Sequence, residues 1–489
     1  MLLLSRINFR MLVRVTGWLV MIEAFFMLFP LVTAIIYRES EVFAFGVGVG
    51  ITAVVGAAMT FLSRPQRSDM SKRDGFLFTA LVWVVFSLFG MIPLLISDTP
   101  LNVSEAFFES MSGFTTTGVS IMQVDSLPHA IHIWRSLMQW IGGMGIILFT
   151  LAVLPMLNSS GGMQMFNAEV ASINREKLRP RVSSTAKRLW LVYALLTLVL
   201  IVLYCLGPMG TFDSVCHALS TMSTGGFSTR QESIVAWNSL YVKVVTTLFM
   251  FIGGVNFALI FKASTGDFRS LWQNEVFRLF VKMILVLWIV FDIYLALNPS
   301  VPHTWETFTI DPLFQIVSVM SSTGFVVENL ADWGVPLLCL IFIMMFFGAC
   351  AGSTSGGAKL DRALYVWKNS RNELYRCVYP NHVLSLNVNG KAMTPEVVNK
   401  VMVFIGLYIS VVIVGGLLLT LMDVPLVDSF FAAVGCMSND ALSLELIGSG
   451  GDYVMIPDAG KWVLSFLMLT GRLELFTVLV LFTPGFWRK

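Results

Sequence analysis

Apolar positions in this chain fall in long unbroken runs, without the short alternation of a half-exposed strand or surface helix. A helix that crosses a membrane needs about 20 such residues. Ten runs qualify, at roughly 14–37, 43–63, 75–97, 131–157, 188–206, 238–262, 276–298, 334–368 (interrupted), 398–422 and 460–485. Four more, 104–118, 212–226, 312–324 and 428–441, are too short to cross. Short apolar runs lying between full spans predict re-entrant elements. The first run carries no small-residue cleavage signal and outlasts a signal peptide's apolar core, which predicts a retained first transmembrane helix.

The four short runs align without a gap on Gly118, Gly226, Gly324 and Ala441. Thirteen residues upstream stand Glu105, Asp213, Asp311 and Asp428. Six upstream stand Ser112, Ser220, Ser318 and Gly435, and four upstream Phe114, Met222, Met320 and Met437. The chain therefore reads as helix–short helix–loop–helix four times over. The predicted fold is an all-α integral membrane protein with four such units around one central pore, plus two N-terminal transmembrane helices. The boundaries fall at 1–70 for the N-terminal hairpin and at 71–170, 171–266, 267–377 and 378–489 for the four units.

The recurring acid sits in the first turn of each short helix, where the helix dipole favours negative charge. The other end points its free carbonyls at the loop, and four such ends make a site for a cation. The loops read Thr115-Thr116-Thr117-Gly118, Ser223-Thr224-Gly225-Gly226 and Ser321-Ser322-Thr323-Gly324; the fourth ends Asn439-Asp440-Ala441. Extended backbone here would turn carbonyl oxygens inward in place of a hydration shell, and glycine permits the positive φ this requires. The candidate ion-binding residues, acting largely through backbone, are Thr116, Thr117, Gly118, Thr224, Gly225, Gly226, Ser322, Thr323, Gly324, Asn439, Asp440 and Ala441.

Charge orients the chain. Basic residues, among them Arg64, Arg67, Lys72, Arg73, the stretch 175–188, Lys262, Arg269 and 359–376, fall on one side if the ten spans alternate, and that side is the cytoplasm. The opposite connections are acidic, with Arg230 as their only clear base, so that face concentrates cations. Overall, 56% of residues are hydrophobic and 13% charged, against about 25% charged in a soluble protein. The net charge of +2 gives no reason to expect nucleic acid. Six cysteines without a CxxC pair and five unpaired histidines spell no metal site. No nucleophile–base constellation falls in the spans, so the reading is not an enzyme and has no covalent cofactor. A solute transporter built on inverted repeats is disfavoured because these repeats run parallel.

Several motifs resemble the bacterial potassium uptake family of TrkH type, in the superfamily with KtrB and the plant HKT transporters. They are FESMSGFTTTG from Phe108, RSLMQWIGGMGI from Arg135, GGMQMFNAE from Gly161, HALSTMSTGGFST from His217, GACAGSTSGGAK from Gly348 and GRLELFTVLVLFTPGFWR from Gly471. The resemblance implies potassium as the transported ion, a pseudo-fourfold pore, a homodimer, and a cytosolic ring of TrkA-like nucleotide-binding subunits. It implies a multi-pass protein of the bacterial inner membrane; both termini are expected in the cytoplasm.

Two further features carry mechanism. The eighth span gives way to ten small residues, Gly348 to Gly357, and then Lys359. They are read either as a loop bulging into an aqueous cavity or as a small-residue face for helix packing. In the family the matching stretch gates the pore, which makes Gly348, Gly352, Ser353, Thr354, Ser355, Gly356, Gly357 and Lys359 candidate gating residues. Arg472 lies mid-span, where arginine usually faces protein or water. It either holds the gate loop through that loop's carbonyls or pairs with a carboxylate such as Glu474. Arg135, Gln139, Gly142-Gly143 and Gly253-Gly254 are assigned to helix packing. The fourth loop departs from the family by lacking its glycine. Ala441 can hold a strained left-handed turn, the loop can present fewer carbonyls, or Asp440 can add charge. The last two favour an alternative function, a less selective K+/Na+ or ion-coupled (symporting) transporter.

Overall fold

The computed structural model describes residues 7–63, 71–152, 178–297, 304–328, 330–382, 384–440, 442 and 453–488. Ala441, Arg64, Arg67, most of the basic stretch 175–188 and the motif 161–169 lie outside what can be described, either altogether or in their side chains. The only strands among the described residues are a two-stranded antiparallel pair, Asn387–Val388 with Lys391–Ala392.

All four short runs are helices, Val103–Phe114, Thr211–Met222, Asp311–Met320 and Leu426–Ser438. The recurring acid stands in the first turn of each. In the first, Asn102 and Glu105 form a reciprocal cap: Glu105 N donates to Asn102 Oδ1 at 2.9 Å and Asn102 N to Glu105 Oε2 at 3.1 Å. Among the described residues six helices are long and apolar enough to cross a membrane, or eight if two sharply bent pairs each count as one span. Of the two other expected spans, one is the helix His129–Ala152, which runs to the edge of the described residues. The other is the 13-residue helix Val335–Phe347, followed by a loop and then Leu360–Val378.

The units close into a ring. Within each, a long helix packs on its own short helix: Lys72–Gly90 on the first, Leu178–Cys205 on the second, Glu275–Leu297 on the third and Pro395–Thr420 on the fourth. The helix that follows the loop then packs on the short helix of the next unit. His129–Ala152 meets Thr211–Met222, Leu240–Gly254 meets Asp311–Met320, Val335–Phe347 meets Leu426–Ser438, and Asp458–Arg472 returns to Val103–Phe114. The N-terminal hairpin, Phe9–Tyr37 with Val42–Leu62, leans on the outside through Lys72–Gly90 and His129–Ala152.

The helix after the loop also packs on the short helix of its own unit, and in two units backbone meets backbone there. A Cβ on Gly142 would stand 1.9 Å from the Phe114 carbonyl oxygen, and one on Gly471 would stand 2.0 Å from that of Met437. The aligned position, four residues before Gly118 and Ala441, is the same in both. Gly142→Ala and Gly471→Ala must therefore displace a short helix, at a cost of about 1–3 kcal/mol or more. Gly50→Ala, with nothing within 4 Å of the new carbon, leaves stability unchanged. Thermal unfolding of the three purified variants in detergent checks the contrast.

Candidate functional site

Each short helix ends in the same left-handed turn. Thr116, Thr224, Ser322 and Asn439 have φ of 54°, 52°, 52° and 52°, and each lies two residues before the aligned position. The residue that follows returns its N–H to the same carbonyl of the helix: Thr117 to Ser112 at 2.9 Å, Gly225 to Ser220 at 2.9 Å, Thr323 to Ser318 at 2.8 Å and Asp440 to Gly435 at 2.9 Å. This six-to-one bond is that of a Schellman cap. Gly118, Gly226 and Gly324 then take φ of 79°, 83° and 79°.

The loops are thus not simply extended, and in the first three positive φ is needed at two positions rather than one. Nor are the helix-end carbonyls free, as the dipole argument expected. Besides the caps, Met111 O accepts from Thr115 Oγ1 at 2.6 Å, Leu219 O from Ser223 Oγ at 2.9 Å and Val434 O from Ser438 Oγ at 2.7 Å. Buried oxygens that remain without a hydrogen-bond partner among the described residues include Thr116 Oγ1, Asn439 Oδ1 and both carboxylate oxygens of Asp440. Asn439 Nδ2 donates to Thr117 Oγ1 at 2.9 Å and to Met468 O at 3.0 Å, tying the fourth loop to the first.

The small-residue stretch is a loop. Gly348, Gly352, Gly357 and Lys359 all have positive φ. Its ends are stitched by Ala358 N to Phe346 O and Leu360 N to Ala349 O, both at 3.0 Å. Its tip lies against three of the four left-handed turns. Thr354 Oγ1 is 3.2 Å from Thr224 Oγ1, Gly356 N donates to Ser322 Oγ at 2.5 Å, and a Cβ on Gly356 would stand 1.9 Å from Ser438 O and 2.9 Å from Asn439 Cβ. Arg472 is buried and donates from Nη1 to Thr354 O at 2.7 Å and from Nη2 to Gly142 O at 3.1 Å. Lys359 Nζ donates to the Ser355 carbonyl. Ser353 Oγ donates to Cys350 O at 2.6 Å and pairs with Ser355 Oγ at 2.9 Å. Glu474 pairs with Arg362 at 2.8 Å, not with Arg472.

A family model described as TrkH, cation transport protein, matches residues 41–489. The chain belongs to the TrkH family. It is 35% identical over 486 residues to the Trk system potassium uptake protein TrkH of Salmonella typhimurium, covering 99% of this chain and all of that one. It is 37% identical to the protein of the same name from Vibrio parahaemolyticus, with 99% of this chain and all of that one covered. The crystal structure of the potassium transporter TrkH from Vibrio parahaemolyticus superposes with a TM-score of 0.90 at 34% identity, over 98% of this chain and all of that one. This is a family of membrane transporters and not of enzymes, and TrkH membership agrees with the several apolar helices of the fold.

The sequence predicts one broken helix of the ring; among the described residues there are three. Leu240–Gly254 turns into Phe257–Ser264 through 107°, and Asp458–Arg472 turns into the segment Leu475–Phe482 through 116°. The loop 348–357 fills the first break: Cys350 N donates to Gly254 O at 3.2 Å, Thr354 N to Gly253 O at 3.3 Å, and Phe257 N to Gly352 O at 3.1 Å. Asn256 caps the new helix and sends Nδ2 to Ala351 O at 2.7 Å. The sequence signal was there, a Gly-Gly pair two residues before an N-capping asparagine.

Two residues assigned to packing hold the loops. Gln139 Nε2 donates to Gly225 O at 2.6 Å, while its Oε1 accepts from Ser220 Oγ at 2.6 Å and Phe227 N at 3.2 Å. The Gly225 carbonyl is therefore committed to Gln139. Arg135 Nε pairs with Glu109 Oε1 at 2.8 Å, both buried, under the Phe227 ring. Glu109 Oε2 accepts from Ile121 N at 3.1 Å, and Ser120 Oγ donates to Oε1 at 2.9 Å. The acidic side of the ring also has more bases than Arg230. Lys461 pairs with Glu105 at 2.9 Å and Lys243 with Asp311 at 2.6 Å, each bridging one unit to the next. Both lysines open the first turns of helices otherwise read as spans, which hid them. Glu109→Ala strands the Arg135 guanidinium and costs about 3–5 kcal/mol; Glu109→Ala with Arg135→Met recovers much of that. Thermal unfolding across the four-member cycle measures the coupling.

Proposed function

We propose that this protein carries potassium across the bacterial inner membrane through a channel-like pore on the axis of the ring. Its potassium filter is formed by Thr116–Gly118, Thr224–Gly226, Ser322–Gly324 and Asn439–Ala441, and its gate is the loop Gly348–Lys359. The four pore units are 71–170, 171–266, 267–377 and 378–489, behind the N-terminal hairpin 1–70. The observation that carries this reading is the shared turn: four segments from four units repeat one rare backbone conformation, and one loop tip lies against three of them. Backbone of this kind is tolerable at membrane depth only when buried in protein or facing an aqueous path. The names of the relatives as potassium uptake proteins support potassium as the ion. Both termini lie in the cytoplasm, as the basic connections require. The protein works as a homodimer on a cytosolic TrkA-like nucleotide-binding ring.

On this reading the loop, lying against three of the four turns, closes the path. Arg472 and Lys359 place fixed positive groups on the carbonyls of Thr354 and Ser355, where a permeant cation would otherwise find oxygen ligands. They repel that cation and bind the loop at once. Opening must free Thr354 from Arg472, and Gly253, Gly254 and Phe257 from the loop, with water replacing those bonds.

A second reading, a less selective K+/Na+ pathway, is favoured by Asp440: a buried carboxyl group with no partner among the described residues stands where the other loops have Thr117, Gly225 and Thr323. Ion flux into proteoliposomes separates the alternatives. Potassium-driven flux that exceeds sodium-driven flux is expected, and saturable uptake of an organic solute without cation current overturns the pore. Arg472→Ala is expected to raise cation flux about tenfold or more, since a hydrogen bond from a charged donor is worth about 1.5–3 kcal/mol; unchanged flux at equal protein density contradicts the gate. Ala441→Gly is expected to sharpen the K+/Na+ permeability ratio.

A further inference from the structure

Serine recurs six residues before the aligned position in three loops and is replaced by Gly435 in the fourth. In the first and third loops this serine has one evident task. Ser112 Oγ donates to Val119 O at 2.6 Å and Ser318 Oγ to Phe325 O at 2.7 Å. Val119 and Phe325 are the residues just beyond Gly118 and Gly324, so each serine ties the departing chain back to its own short helix. In the second loop Ser220 reaches the corresponding residue through Gln139, whose Oε1 accepts from both Ser220 Oγ and Phe227 N. Gly435 has no side chain with which to do this.

The corresponding residue of the fourth loop is Leu442, and its carbonyl accepts from the hydroxyl of Tyr453 at 3.4 Å. A Cβ built on Gly435 would stand 3.7 Å from that same hydroxyl oxygen. The tyrosine oxygen therefore lies in contact with the place a side chain at position 435 would start from. Tyr453 is 3% exposed, and its ring lies against Phe108 of the first short helix with centroids 6.3 Å apart. A Cβ at Gly435 would also come within 3.1 Å of Asp440 O and 3.4 Å of Met345 Cε, so a side chain there has little room.

We propose that Tyr453 is a positioning residue for the fourth filter loop. From beyond the loop it supplies the hydroxyl that Ser112 and Ser318 supply from within theirs, and Gly435 is the complement that makes room for it. The missing serine and the tyrosine are one exchange. Because the ring of Tyr453 rests on Phe108, the fourth loop is held from the first unit as well as from its own. Its bond, at 3.4 Å against 2.6 and 2.7 Å, is the longest and so the weakest of the three direct ties. This inference rests on the filter reading above, deepens it, and assigns selectivity to two residues outside the ion path.

The test is the K+/Na+ permeability ratio from reversal potentials in planar bilayers, for the parent protein, Tyr453→Phe, Gly435→Ser, the double variant and Ser318→Ala. Tyr453→Phe is expected to lower the ratio about two- to tenfold, the range one hydrogen bond spans. Gly435→Ser alone lowers it as well, because its new atoms crowd Asp440 and Tyr453. In the double variant the serine hydroxyl enters the space the phenol oxygen has left, and the ratio returns toward that of the parent. Such rescue is not expected of a residue that only fills volume. Size-exclusion profiles and melting temperatures verify that each variant is folded. If Ser318→Ala lowers the ratio while Tyr453→Phe leaves it unchanged, the assignment of Tyr453 is wrong; a double variant as poor as the two single effects combined also overturns it. If Ser318→Ala too leaves the ratio unchanged, the filter reading itself fails and this inference with it.

Discussion

The site is organised around a backbone conformation that its residues do not favour. A left-handed turn at a residue other than glycine costs on the order of 1–3 kcal/mol, and threonine, branched at Cβ, is a poor occupant. Yet two threonines, a serine and an asparagine adopt it at equivalent places, with φ between 52° and 54°. What offsets the cost is the cap: the turn lets the next N–H return to the helix, as it does in all four units at 2.8–2.9 Å. Asn439 is the occupant best suited to the conformation, so the fourth unit, which lacks the usual glycine, carries the least strain at this turn.

From that turn the rest follows. A capped helix end cannot offer all its carbonyls to an ion, because most are spent on the cap and on nearby hydroxyls. The turn also sends its side chain away from the helix, and the tip of the loop 348–357 meets three of these side chains or their neighbours. The loop in turn satisfies the N–H and carbonyl groups exposed where the neighbouring helix breaks after Gly254. The left-handed turns, the loop 348–357 and the broken helix thus share one set of hydrogen bonds. None can move without the others finding new partners.

Much of this was legible in the sequence. The spans, the four short helices and the acid in each first turn followed from run length and from the alignment on Gly118, Gly226, Gly324 and Ala441. Those features are local, and burial in a membrane makes them strongly compositional. What was missed depends on neighbours that are distant along the chain. Gln139 lies more than eighty residues from the Gly225 carbonyl it holds, and nothing near it spells that role. Lys243 and Lys461 look like ordinary helix residues until the ring sets them beside the acid of the next unit. The break after Gly254 is a milder case: the glycine pair is plain in the sequence, but its meaning depends on the loop that fills it.

The central claim is that the four left-handed turns surround one line along which a cation sits. Thallium scatters strongly enough to be located and substitutes for potassium, so anomalous-difference maps of the protein in thallium, against a matched preparation in sodium, test it most directly. The account predicts thallium peaks on the ring axis beside Thr116–Gly118, Thr224–Gly226, Ser322–Gly324 and Asn439–Asp440, absent or much weaker in sodium. Ordered loops with no peak between them, or peaks confined to the acidic face, would contradict it.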